Sequence, residues 1–177
     1  MRPFVLPTCL VSKNPFAHTN HISINFANYT DEEWAYPLPG AKLISPFGGR
    51  RHHAGSDLKT VRNDTLRAAF PGEVILSGPH YGYGYCVVLR HANGLETLYS
   101  HNSRNLVEVG RWLQAGEPLA LEGSTGRATT HHLHFEVHAG GKAFDSSLIF
   151  DHQNHTLIRQ VLRIEKQPNG TLKITSE

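Results

Sequence analysis

The segment His132–His138 reads His-Leu-His-Phe-Glu-Val-His, so polar and apolar side chains alternate over seven positions. This period of two predicts a half-buried β-strand whose apolar residues face the core. His132 and His134 then project from the opposite face about 7 Å apart, given the ~3.3 Å rise per residue of a strand. They are close enough to converge on one small site. The alternative is that this face is a histidine-rich surface exposed to solvent.

The chain from Ala41 onward has the same β character, because short β-rich runs are separated by Pro-Gly, Asn-Gly and Gly-Gly pairs. A hairpin is expected from Tyr85 to His101, where Asn93 and Gly94 suit the positive φ angles of a tight turn. Other strands are predicted at Leu43–Ser45, Gly72–Ser77 and Pro118–Glu122. We therefore expect a mainly β protein, an antiparallel meander with few short helices, of which Asp151–Gln160 could form one helical turn.

At 177 residues the chain is long enough for one well-packed core. Residues 1–36 are rich in Asn, Pro, Ser and Thr and form an N-terminal lead-in, with His21–Phe26 as a candidate edge strand. Residues 37–150 form the principal domain, and residues 151–177 a C-terminal extension that ends in a β-hairpin. The lead-in either packs on the domain as an edge strand, which we favour, or covers the functional site as a pro-segment.

Charge and hydropathy exclude two classes of partner. The net charge is only +2 and the densest basic cluster is the pair Arg50-Arg51, so we expect no binding to nucleic acid. No apolar run approaches the ~18 residues of a transmembrane helix. The start at Met1–Cys9 is too short and too rich in proline for a signal sequence, although a processed exported chain would begin in the same way.

The two cysteines, Cys9 and Cys86, form no ligand cluster. They could pair as a disulfide, but Cys86 lies in an apolar strand, and a free buried thiol is the favoured prediction. The thirteen histidines are the unusual feature of the composition. Because imidazole is the commonest metal ligand in proteins, this excess points to a metal held by nitrogen and oxygen atoms.

A second histidine cluster, Arg50–Asp57, places His53 and Asp57 four residues apart around a glycine. Imidazole and carboxylate are both good zinc ligands, and a third ligand from elsewhere would leave one position for water. Alone, this stretch would be a loop histidine beside a turn aspartate. Together with the His132–His138 strand it favours an open His₂Asp site, which is typical of catalytic rather than structural zinc.

Three motifs then occur in order: His53-x-Gly55-x-Asp57, Tyr99-x-His101 and His132-x-His134. Alone, His101 would be an ordinary histidine at a strand end. The ordered set resembles the lysostaphin-type (LytM-like) zinc metallopeptidases, over roughly residues 37–148. It differs from the usual family pattern at Thr130-His131, and His52 and His131 are neighbouring rivals for the ligand positions, although only His53 gives the His-x-Gly-x-Asp register.

The resemblance implies one Zn²⁺ per chain bound by His53, Asp57 and His134, with His101 and His132 as catalytic residues. It also implies a sheet of the duplicated hybrid motif type with a groove carrying the metal site. The implied activity is hydrolysis of peptidoglycan peptides by an exported protein of the periplasm, cell envelope or extracellular space, most simply a monomer. Residues 37–150 would then be the metallopeptidase domain.

Three alternatives accompany this interpretation. Glu136 could act as the base, although it more simply orients a neighbouring imidazole. The protein could be a catalytically silent member of the same fold that binds peptidoglycan or regulates an amidase. It could also be a glycosidase, for which Asp57 and Glu136 would be the only plausible carboxylate pair.

Overall fold

The computed structural model describes residues 13–177, and it is mainly antiparallel β, as predicted. Within that range the helical elements are three 3₁₀ turns, at Phe26–Asn28, Tyr81–Tyr83 and Ser146–Leu148, and none is long and apolar enough to cross a membrane. The strands are β1 His21–Asn25, β2 Lys42–Ser45, β3 Ser56–Lys59, β4 Thr65–Arg67, β5 Gly72–Pro79, β6 Tyr85–His91, β7 Leu95–Asn102, β8 Arg104–Asn105, β9 Trp112–Leu113, β10 Pro118–Leu121, β11 Leu133–Ala139, β12 Lys142–Phe144, β13 Phe150–Asp151, β14 Thr156–Leu157, β15 Val161–Lys166 and β16 Leu172–Ser176.

The largest sheet has eight strands, seven of them in the order β2-β3-β11-β7-β6-β5-β9, with β12 paired to β11. Only β5, β6 and β7 follow one another as the predicted meander. Strand β11 lies between β7 and β3, although thirty residues of chain separate it from β7. This central position places His134 directly opposite Asp57 on β3 and Ser100 on β7.

Strand β11 is buried on both faces, so the prediction of a half-buried strand is wrong. Its apolar face enters the core, where the Phe135 ring lies 5.4 Å from that of Tyr99 and 6.1 Å from that of Phe150. On its polar face His134 is 7% exposed and Glu136 only 1%. The polar side chains tolerate burial because they bond to one another across that face.

The predicted helical turn at Asp151–Gln160 is also wrong, because this segment forms the hairpin β13–β14. One oxygen of the Asp151 carboxylate accepts hydrogen bonds from the backbone N–H groups of Gln153 and Asn154, both at 3.0 Å. Such an aspartate bond offers the backbone a turn in place of a helix.

Strand β1 does not join the main sheet; it pairs with β15 in a three-stranded sheet that β16 completes. Before β1, Phe16 packs against Gly140, where a Cβ would lie 2.6 Å from its ring. Gly140 follows the end of β11 that is distant from His134. No residue of 13–36 lines the groove described below. Cys86 is a buried free cysteine, whereas Cys9 lies outside the described residues.

His91 is buried in the core, at the end of a chain of hydrogen bonds. The backbone N–H of Ala69 donates to the Tyr99 hydroxyl, which lies 2.9 Å from the Thr97 hydroxyl. The Thr97 hydroxyl lies 2.7 Å from His91 Nε2, and Nδ1 donates to the Pro71 carbonyl. Burial lowers the pKa of His91 to about 4, although the bond to Pro71 opposes the shift. The folded protein therefore holds this imidazole neutral.

We expect acid to destabilise the fold through His91. An unfolded histidine titrates near pH 6.5, so between about pH 6.5 and 4 the unfolded chain binds the proton more tightly and stability falls, by up to about 3 kcal/mol. Urea unfolding at several pH values, with a chelator present so that metal loss plays no part, measures this slope. The His91→Gln variant should have a shallower slope, and equal slopes in the two proteins would contradict the account.

Candidate metal centre

Three ligand atoms form a compact triangle at one end of β11. His53 lies in the turn before β3, Asp57 lies on β3, and His134 lies opposite Asp57 on β11. His53 Nε2 is 3.3 Å from Asp57 Oδ1 and 3.2 Å from His134 Nδ1, and the third side, from His134 Nδ1 to Asp57 Oδ1, is 2.9 Å. The structure thus brings together the three residues predicted as ligands, and they form the candidate metal group of residues 13–177.

Hydrogen bonds on the outer side of each imidazole orient its lone pair into the triangle. His53 Nδ1 lies 2.9 Å from the Pro46 carbonyl, and His134 Nε2 lies 2.6 Å from a carboxylate oxygen of Glu136. Carbonyl and carboxylate oxygens only accept, so those two nitrogens carry the hydrogens. The opposite nitrogens are left to bind a metal.

The triangle has the dimensions that zinc requires. Tetrahedral zinc with bonds of about 2.0–2.1 Å separates neighbouring ligand atoms by roughly 3.3 Å, close to the observed edges. Two nitrogens and one oxygen are also a donor set that zinc accepts, and three protein ligands leave its fourth position open. The residues present therefore fit a zinc ion.

Before a metal binds, protons stabilise this cluster. Burial opposes protonation of His134, but its hydrogen bonds to Asp57 and Glu136 raise its pKa to about 9. Burial acts to raise the pKa of Asp57. The hydrogen bond with His134 and the charges of the three neighbouring histidines outweigh burial, so the pKa of Asp57 lies below its ordinary value. A metal ion would take the place of the proton between His134 and Asp57.

Glu136 is a buried bridge between two imidazoles. Its second oxygen lies 2.6 Å from Nε2 of His138, and the two imidazole contacts lower its pKa to about 2 against the opposing effect of burial. Both oxygens are thus occupied, which favours an orienting role over that of a free base. The contribution of His138 was missed at the level of sequence, although the same alternation places it on this face.

The two histidines predicted to be catalytic lie beside the triangle. The rings of His101 and His132 are 5.0 Å apart, and Nε2 of His132 lies 3.5 Å from Asp57 Oδ1. Both Nδ1 atoms donate to backbone carbonyls, of Thr125 at 2.8 Å and of Thr130 at 2.9 Å. Each Nε2 therefore keeps a lone pair for chemistry.

The two rival histidines have other surroundings. His52 is exposed at the groove rim, outside the metal group. His131 turns its Nδ1 towards the buried carboxylate of Glu122, at 3.3 Å. Thus neither belongs to the triangle of ligand atoms.

These residues lie in a groove of about 820 Å³ that crosses β11. Three residues lining it have positive φ although they are not glycine: His52 at 50°, Tyr81 at 45° and His101 at 65°. Each such conformation costs about 1–3 kcal/mol and persists only where the surrounding structure imposes it. Backbone strain of this kind is concentrated at functional sites, and no pattern in the sequence predicts it.

A model of the family described as "Peptidase family M23" matches residues 51–146. This segment covers more than half of the chain and contains all five predicted site residues. The chain therefore belongs to peptidase family M23, and the resemblance to lysostaphin-type peptidases is confirmed.

Two curated relatives and one solved structure show how far the similarity extends. The DD-carboxypeptidase/endopeptidase Mpg of Neisseria meningitidis is 39% identical over 114 residues, which are 60% of this chain and 26% of Mpg. The murein hydrolase activator NlpD of Escherichia coli is 32% identical over 112 residues, 62% of this chain and 29% of NlpD. The catalytic domain of lysostaphin from Staphylococcus simulans superposes with a TM-score of 0.60 at 27% identity, covering 66% of this chain and 97% of that domain.

The chain thus spans less than a third of the length of these two curated relatives, but the superposition covers nearly the whole of the lysostaphin domain. The similarity therefore concerns a peptidase domain, whereas the activity of each whole relative belongs to a longer protein.

We expect Glu136→Gln to weaken zinc binding by about 10- to 100-fold, because the amide loses the charge that orients and polarises His134. Competition with a chromophoric chelator gives the affinity. Glu108→Gln, at an exposed glutamate outside the groove, is the matched control and should bind zinc like the parent. An unchanged affinity in Glu136→Gln would show that the bridge does not support the ligand.

Proposed function

We propose that this protein is a zinc-dependent endopeptidase that hydrolyses peptide bonds in the stem or cross-bridge peptides of bacterial peptidoglycan. The observation that carries the proposal is the open triangle of His53, Asp57 and His134 with two further histidines beside it. A site that served only the fold would normally supply four protein ligands. Membership of family M23 and the peptidoglycan-related names of its relatives support the substrate class.

The mechanism divides between the metal and the two histidines. Zinc held by the three ligands would supply the Lewis acidity that peptide hydrolysis requires. His101 and His132, each anchored through Nδ1, have an Nε2 atom able to take a proton from the attacking water or to donate a hydrogen bond to the developing oxyanion. The two roles are divided between these residues, each worth roughly 10²–10⁴-fold in rate.

A second candidate function is regulation without catalysis. It is favoured by the similarity to NlpD, which is described as a murein hydrolase activator. The presence of all three ligands and both catalytic histidines favours the enzyme. In either case the site of action is the cell envelope, which makes an exported protein part of the proposal.

We expect Asp57→Ala to lose both zinc and hydrolysis, because it removes a ligand. His101→Ala should keep zinc and lose about 10²–10⁴-fold in rate, because it removes only a proton-transfer or oxyanion group. The measurements are zinc content by mass spectrometry and clearance of a suspension of purified cell walls. His18→Ala, at an exposed histidine outside the groove, should keep both properties.

The released product separates the remaining possibilities. New free amines identify peptide hydrolysis, whereas new reducing sugar would identify a glycosidase. Stoichiometric zinc with no cleavage of any wall preparation would favour the regulatory function. Full activity in Asp57→Ala or His101→Ala would contradict the proposed site.

A further inference from the structure

Two arginines, Arg51 and Arg127, line the groove. Arg51 precedes β3, whereas Arg127 belongs to the loop before β11 that contacts the turn between β5 and β6. Neither has a carboxylate partner among residues 13–177, and Arg51 has only a 3.4 Å contact with the Ser45 hydroxyl. The Arg127 guanidinium is therefore available to a ligand.

Contacts with Gly82 hold Arg127 in place. Its backbone N–H donates to the Gly82 carbonyl at 2.9 Å, and its side-chain stem lies over Gly82, where a Cβ would come within 2.9 Å of Arg127 Cδ. The two loops are also tied together by the bond from the Tyr85 N–H to the Thr125 hydroxyl, at 3.0 Å. These contacts involve the Arg127 backbone and its side chain as far as Nε, and among residues 13–177 the two terminal nitrogens of the guanidinium have no hydrogen-bond partner.

Gly82, against which the Arg127 side chain lies, is close to the candidate metal centre. Gly82 precedes Tyr83, whose ring lies 5.8 Å from that of His134. A peptide that reaches the triangle therefore passes within the same groove as Arg127.

The charges of the groove do not balance. Its two acidic residues, Asp57 and Glu136, are both engaged with imidazoles, and together they offset the charge of one zinc ion. The two arginines then leave an excess of positive charge. Such a groove attracts an anionic peptide and holds it through charge-assisted hydrogen bonds.

We propose that Arg127 binds a carboxylate of the substrate, so that the groove selects peptides with a free carboxylate near the scissile bond. The inference rests on the proposed peptidase function and names its substrate class. Guanidinium matches a carboxylate with two parallel hydrogen bonds, which an amide cannot reproduce. Stem peptides of peptidoglycan carry such carboxylates, whereas the interior of a glycine cross-bridge carries none.

The test compares one stem peptide ending in D-Ala-D-Ala in two synthetic forms, with free carboxylates and with every carboxylate amidated. Rates are measured with the zinc-loaded parent, Arg127→Gln and Arg62→Gln. Arg62 is the matched control, because it is exposed and lies outside the groove. The parent and Arg62→Gln should prefer the free form by about tenfold or more in kcat/KM, and Arg127→Gln should lose most of that preference.

The ratio between the two forms separates Arg127 from the metal, which could itself attract a carboxylate. A preference that survives in Arg127→Gln would assign recognition to another group and overturn the proposal. Equal rates on both forms in the parent would overturn it as well.

Binding separates this inference from the proposed function. Calorimetric titration of the same two peptides into His101→Ala protein, with and without Arg127→Gln, measures recognition without turnover. One outcome is that the parent shows no cleavage, while binding still distinguishes the two forms through Arg127. The carboxylate site then stands and the peptidase function fails. If cleavage occurs and neither rate nor binding depends on Arg127, the peptidase function stands and the carboxylate site fails.

Discussion

The antiparallel pairing of β3 with β11 places Asp57 directly opposite His134, and the candidate metal centre depends on that register. A shift of one residue in β11 would turn His134 to the other face of the sheet, away from Asp57. The register is held by the core, because Leu133 and Phe135 on the reverse face are completely buried. Hydrophobic packing on one side of β11 thus fixes ligand geometry on the other. The turn before β3 then needs only to bring His53 within reach.

The polar face of β11 shows how a protein can keep charged groups in its interior. Glu136 joins His134 to His138, while backbone carbonyls anchor His53, His101 and His132. Each bond holds a hydrogen on the outer nitrogen of its imidazole, so the nitrogen that faces the triangle is the one left for a metal. The positive φ of His101 belongs to the same arrangement, since its cost is met by contacts elsewhere.

Much of the fold and of the candidate site could be predicted from the sequence, because the alternation of polar and apolar residues and the order of the motifs can be read directly from the chain. The alternation of His132–His138 predicted β11, the Asn93-Gly94 pair predicted the β6–β7 hairpin, and the ordered motifs predicted which residues meet. The predictions that were wrong concern features that depend on tertiary contacts. Burial of the polar face requires groove walls distant in the chain, and the turn at Asp151 depends on a side-chain bond that competes with helix. The contact of Arg127 with Gly82 joins two loops about forty residues apart in the chain, so no periodic pattern in the sequence predicts it.

The proposed function requires that one zinc ion is bound by three particular atoms. Anomalous diffraction collected at the zinc absorption edge from crystals of the zinc-loaded protein tests it most directly. We expect one strong peak per chain, bonded to His53 Nε2, Asp57 Oδ1 and His134 Nδ1, with His101 and His132 beside it but not bonded. A peak held by His52, His131 or His132 in place of these ligands, or no peak at the triangle, would contradict it.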